Sequence, residues 1–163
     1  MKRRKFIINT GLGALSLYFA PTLTSCSNKN ALNLNTILGE SSALLSAVKI
    51  MSKEGNENFG YYQIDKDNFI LENYSGKEVF VFYKNAKIVG YRMQIEGDDF
   101  FKQNIEQLSK SLGKYRTTFK NDFGEELQWS NSNKITKISV SNYKDLPKLT
   151  FFSEFLEEYK SIL

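Results

Sequence analysis

The sequence predicts an α+β fold, an antiparallel sheet with helices on one face, and three patterns carry that expectation. EVFVFY with KIVGYRMQI, and EELQWS with KITKISVS, are two pairs of runs rich in β-branched and aromatic residues, the composition of strands. Each pair is joined by a short polar turn, Lys84-Asn85-Ala86 or Asn131-Ser132-Asn133, too short for anything but an antiparallel hairpin. Between the pairs, Phe101, Ile105, Leu108 and Leu112 fall at i, i+4, i+7 and i+11, a single helical stripe.

Taken in order, residues 26–35 (CSNKNALNLN) read as a polar tether. From Thr36 to Lys53, Ile37, Leu44, Leu45, Val48 and Met51 recur at helical spacing and predict a first helix, stopped by Glu54-Gly55-Asn56. Tyr61–Ile64 and Phe69–Tyr74 predict short strands separated by the turn DKDN, and the first hairpin follows Ser75-Gly76. EVFVFY is apolar on both faces, which predicts a central strand. Asp98 is placed to cap the second helix and Gly113 to end it. Tyr115–Lys120 and the second hairpin come next; LTFF predicts a strand and Ser153–Leu163 a tail helix, with Phe155, Leu156, Tyr159 and Ile162 on one side.

Each hairpin thus follows an amphipathic helix, so the economical reading of residues 36–163 is one domain built as a degenerate tandem α-β-β repeat. This arrangement resembles the tandem α-β-β folds of β-lactamase-inhibitor-like proteins and small outer-membrane assembly lipoproteins. The resemblance is architectural and implies fold rather than activity.

The N-terminus reads as an address. Lys2, Arg3, Arg4 and Lys5 precede a weakly apolar, acid-free run from Phe6 to Ala20, the charge and apolar regions of an export signal. Asn9, Thr10, Gly11, Gly13 and Ser16 interrupt it too often for a spanning helix, which needs about 20 mostly apolar residues. Arg3-Arg4-Lys5-Phe6-Ile7 resembles the twin-arginine motif of the Tat pathway, with Arg3, Arg4 and Phe6 at its recognised positions; general secretory export is the alternative. Leu23-Thr24-Ser25-Cys26 resembles a lipobox: an aliphatic residue, two small ones, and a cysteine whose thiol takes a thioether-linked diacylglycerol. The resemblance, confined to residues 1–26, implies removal of 1–25 and a mature protein held to a membrane by acyl chains on Cys26. Ser27 after the cysteine, and a tether without an acidic run, favour a periplasm-facing location in a bacterial envelope.

The same segment explains the apparent basicity. The formal charge of +4 comes from 22 basic and 18 acidic residues. Lys2, Arg3, Arg4 and Lys5 account for the whole excess, and the mature domain is neutral. It lacks the basic face that nucleic-acid binding needs. With no His and one Cys, already committed to lipidation, the usual zinc, copper, haem and iron-sulfur ligand sets cannot be assembled, and no cofactor is expected. Asp65-Lys66-Asp67-Asn68 is the nearest approach to a calcium loop but lacks its glycine and closing Glu.

No catalytic set is visible. Ser109-Lys110 and Lys160-Ser161 lie on helix faces that ordinarily carry such residues. Asp98-Asp99 sits at a helix N-terminus, where negative charge is favoured. Glu125 and Glu126 are adjacent on a strand and point to opposite faces. No Gly-rich phosphate loop occurs in the mature chain. What stands out is aromatic content, 14% of residues. Tyr and Trp pair apolar area with a polar handle and, with Arg, dominate interface hot spots, so Tyr83, Tyr91, Arg92 and Trp129 are the expected binding surface. The function this predicts is a non-enzymatic envelope lipoprotein that binds an envelope protein, an immunity or inhibitor protein being the specific form. A lipid or small-molecule carrier, and an accessory subunit or enzyme exported by Tat, are the alternatives.

Overall fold

The computed structural model describes residues 31–162. Its strands are β1 (Leu32–Asn33), β2 (Ile50–Gly55), β3 (Phe59–Asp65), β4 (Phe69–Ile70), β5 (Glu78–Lys84), β6 (Lys87–Glu96), β7 (Arg116–Asn121), β8 (Gly124–Ser130), β9 (Lys134–Ser141) and β10 (Leu149–Leu156). The α-helix among the described residues is α1, Asp99–Leu112. Eight strands form one antiparallel sheet in the order β2-β3-β5-β6-β10-β9-β8-β7, and β1 pairs with β4 in parallel. The fold is α+β in kind and mainly β in content.

Both expected hairpins form. In the first, Asn85 and Ala86 take φ of 49° and 60°, the left-handed pair a two-residue turn needs to follow the twist of its strands. The sheet has two halves, β2-β3-β5-β6 and β7-β8-β9-β10, each a meander. They join where the two last strands, β6 and β10, pair across its centre.

Alternation along the strands divides the side chains between two faces. Val79, Val81, Tyr91, Met93, Ile138 and Phe152 belong to one face and are buried with Phe101 and Leu108 of α1. Leu32, Leu34, Ile37 and Leu45 from the N-terminal segment complete this core. Fully burying side chains of this size contributes about 1.5–3 kcal/mol each before the entropy of ordering them is counted. Gly113 ends α1 as expected, at φ 87° with its N–H on the Ser109 carbonyl at 3.0 Å. Asp98 makes no side-chain cap bond; its carboxylate goes to two lysines instead.

Two expected helices are replaced. The segment 36–53 holds a 3-10 turn, Ser42–Ala47, and then β2. Its apolar residues do not share a face: Leu45 is fully buried, whereas Leu44 and Met51 are 47% and 56% exposed. Gly39 breaks the run at φ +91°, and its N–H and that of Ser42 bond to Ile88 and Ala86 on the first hairpin, so distant backbone partners replace helical ones. At the other end β10 runs on to Leu156 before a 3-10 segment, Glu157–Ile162. β10 lies between β6 and β9 and bonds to both, which satisfies its backbone on two sides where a helix would use one segment's own groups. The α-β-β unit with its own leading helix is therefore seen only in the second half. The tether is also shorter than expected, because Leu32 and Leu34 are core residues at 7% and 0% exposure. Of the strand expected at Phe69–Tyr74, only Phe69–Ile70 forms.

Candidate functional site

Among the described residues no α-helix covers the second face of the sheet, and this face gathers the half-buried rings. Tyr61 of β3 lies 5.6 Å from Phe80 and 5.8 Å from Phe82 of β5, and Phe82 lies 5.4 Å from Phe155 of β10. Phe155 is buried because it lies flat across Gly90, its register partner on β6. Tyr61, Phe80, Phe82 and Phe151 remain partly open. Among them sits Arg92, its guanidinium 5.9 Å from the Phe151 ring centroid and its Nε donating to Ser153 Oγ at 3.4 Å. Beyond Ser153 on the same face, Lys137 pairs with Glu126 at 3.0 Å. Gln63 Nε2 donates to Glu78 on the side nearest β3.

At one end this face is walled by the loop 142–148. Under the loop is a hollow of about 760 Å3 lined by Leu146, Pro147, Leu149, Phe151, Tyr143 and Gln94 among others. A second hollow of about 300 Å3, lined by Arg92, Phe119, Phe123 and Ser139, shares Ser141, Tyr143 and Phe151 with it. Tyr143 and Leu146 are 54% and 64% exposed, and Phe123 stacks on Tyr143 at 5.7 Å.

The loop is fastened at Lys148. Its Nζ meets Asp98 Oδ2 at 2.9 Å, its carbonyl accepts from Gly97 N–H at 2.8 Å, and Thr150 Oγ1 donates to the Gly97 carbonyl at 2.7 Å. Hydrogen bonds from Lys102 and then Lys148 hold the Asp98 carboxyl down from its ordinary 3.8 to about 2. A carboxyl whose folded value is depressed adds stability above its unfolded value, and that contribution is lost as pH falls toward the folded one. Thermal unfolding across pH 5 to 1.5 should therefore show a gap between the wild type and Asp98→Asn at pH 5. The gap should shrink between about pH 4 and 2; a gap unchanged across that range would show that the carboxylate does not fasten the loop.

The four expected binding residues are not one surface. Tyr83 is 3% exposed on the covered side, its hydroxyl donating to the Asn56 carbonyl at 2.7 Å. Tyr91 is fully buried, its hydroxyl on Glu154 Oε2 at 2.9 Å; burial, then the Glu154 charge, push its ionisation far up and keep it neutral. Trp129 is 1% exposed, with Nε1 donating to the Gly113 carbonyl at 3.1 Å. Their polar handles are satisfied internally, and only Arg92 reaches the open face. The signal for this lay in strand parity: Tyr91 and Arg92 are neighbours, so they cannot share a face. The same parity groups Phe80 and Phe82 with Arg92, the residues that aromatic content alone did not single out.

Arg3, Arg4, Phe6, Leu23, Thr24, Ser25 and Cys26 lie outside the described residues. Among the described residues no group of three or more potential metal ligands converges. Asp65 instead caps a 3-10 turn at Lys66–Asn68. Glu125 pairs with Lys120 at 3.1 Å while Glu126 pairs with Lys137, and Lys110 goes to Glu106 rather than to Ser109. No helix among the described residues is long and apolar enough to cross a membrane. No protein-family model, curated protein or solved structure matches the chain.

Proposed function

We propose that this protein is a bacterial envelope lipoprotein, exported by its twin-arginine signal and held to a membrane through Cys26, which binds another envelope protein through the open face of its sheet. The observation that supports it is the asymmetry of that sheet. One face is packed under α1 and the N-terminal segment, while the other presents Tyr61, Phe80, Phe82 and Phe151 around Arg92. Contiguous apolar area of this kind, with aromatic and Arg anchors, is what protein interfaces use. An immunity or inhibitor protein acting on a periplasmic partner is the specific form of this reading. A carrier holding its ligand between sheet and helix is less well supported, because Tyr91, Met93, Phe101, Leu108, Trp129 and Phe152 fill that space at 7% exposure or less. We also read the two meandering halves as a degenerate duplication, since each ends in the strand that pairs with the other.

A photo-crosslinking residue at position 80 or 82, introduced into the protein in its native host, should give one discrete protein adduct in the membrane fraction. The adduct should leave that fraction in a Cys26→Ser background. The same residue at position 44, which is exposed but away from this face, should give none. Equal labelling from all three positions, or none from positions 80 and 82, would remove the proposal.

A further inference from the structure

We propose that the groove beneath the loop 142–148 binds an amphiphilic anion, an alkyl chain ending in one carboxylate or phosphate, with the chain under the loop and the head group on Arg92. This is a ligand site in its own right and does not depend on the docking of a protein partner.

The apolar part follows from the larger hollow. Its volume of about 760 Å3 falls within the range of about 300–1,000 Å3 usual for small-ligand sites. Leu149 and Phe151 of β10 lie on one side, Tyr143 and Leu146 of the loop on another. Gln94, Ser141 and the Tyr143 hydroxyl are the uncharged polar side-chain groups that line it, few for a sugar or a nucleotide.

The charge follows from what is already paired. Lys77 is bound to Glu96 at 3.0 Å, Lys148 to Asp98 at 2.9 Å, Glu126 to Lys137 at 3.0 Å and Glu125 to Lys120 at 3.1 Å. Of the charged residues lining the two hollows, Arg92 is the one in no ion pair among the described residues. Glu78, the nearby acid of the same face, accepts from Gln63 and forms no ion pair with Arg92. Arg92 is half-buried, and among the described residues its one hydrogen bond runs from Nε to Ser153 Oγ. A planar guanidinium with free N–H groups beside an aromatic ring matches one bidentate oxyanion.

The two requirements meet at Phe151. Its ring lines both hollows and lies under Arg92, so a chain seated along Leu149 and passing Phe151 brings its end to the guanidinium. An extended peptide is the less fitting occupant. β6 and β10 are interior strands with both backbone edges paired, leaving no edge for a peptide strand to add to at this point.

Calorimetric titration of the full chain carrying Cys26→Ser tests the proposal with dodecanoate and dodecyl phosphate below their micelle-forming concentrations and dodecanol below its solubility limit. Both anions should bind saturably at one per chain, and dodecanol should bind about ten-fold or more weakly, the worth of a charged hydrogen-bonded contact. Arg92→Gln should erase that preference. Leu146→Asp, at a position 64% exposed and so neutral to folding, should weaken all three. Equal affinity for dodecanoate and dodecanol, a preference that survives Arg92→Gln, or no saturable binding of any probe would overturn the site. Arg92-dependent binding of hexaglutamate without binding of the alkyl anions would overturn it in favour of a peptide occupant. Should Arg92→Gln fail to fold, the three-probe comparison on the parent chain and Leu146→Asp decide the matter.

Discussion

Trp129→Ala should lower the unfolding free energy by about 3–5 kcal/mol, the usual cost of deleting a buried indole. The ring is 1% exposed and meets Tyr115 edge-on at 5.5 Å, and its Nε1 ties β8 to the residue that ends α1. Its loss therefore leaves a void and also loosens the seat of the helix. Trp129→Phe keeps most of the area and forfeits the hydrogen bond to Gly113, whose carbonyl belongs to an exposed residue, so its added cost from that bond should be about 1 kcal/mol. Urea unfolding with an unchanged slope would read both values. A loss below about 1 kcal/mol for Trp129→Ala would mean that the indole is not part of the packed interior. This separates its two possible roles: a binding hot spot would leave stability intact and abolish a partner, and a core ring does the reverse.

Gly90→Val should cost about 3 kcal/mol or more, at the upper end of what overpacking a core produces. A Cβ at Gly90 would stand 2.0 Å from Phe155 Cδ1 and 2.4 Å from Cε1, distances no side chain tolerates. The Phe155 ring is fully buried against Phe82, with little room to withdraw. Gly90 is thus demanded by a neighbour's volume rather than by turn geometry. The decisive measurement is a double-mutant cycle with Gly90→Ala and Phe155→Ala. If the ring is the obstacle, the pair costs less than the sum of the singles, whereas strict additivity would rule that mechanism out.

These two sites show where local sequence pattern is a sufficient guide and where it is not. The hairpins and α1 were legible because their signals are local: alternation of two, a stripe near 3.6, and turns that only an antiparallel pair can use. The first and last expected helices do not form, for a related reason. Ile37, Leu44, Leu45, Val48 and Met51, and later Phe155, Leu156, Tyr159 and Ile162, satisfy a helical spacing, but short amphipathic segments owe most of their stability to tertiary partners. Here the partners on offer are strand edges and the first hairpin, and the backbone groups went to them. Tyr83, Tyr91 and Trp129 are binding residues by type, and type does not report a face: all three are buried. Parity would have set Tyr91 inside as soon as Met93 and Ile95 were taken as core.

Composition and short-range periodicity need no partner to be read, so they suffice for the kind of fold, for its two hairpins and α1, and for the neutrality of everything after Lys5. The pairing of β6 with β10, which joins the two halves into one sheet, is by contrast a property of the folded chain as a whole. That pairing links residues some 60 positions apart, such as Arg92 and Ser153, so no local pattern encodes it. It sets Phe155 on Gly90, places Phe151 under Arg92, and makes one continuous open face from rings that in the sequence are only scattered aromatics.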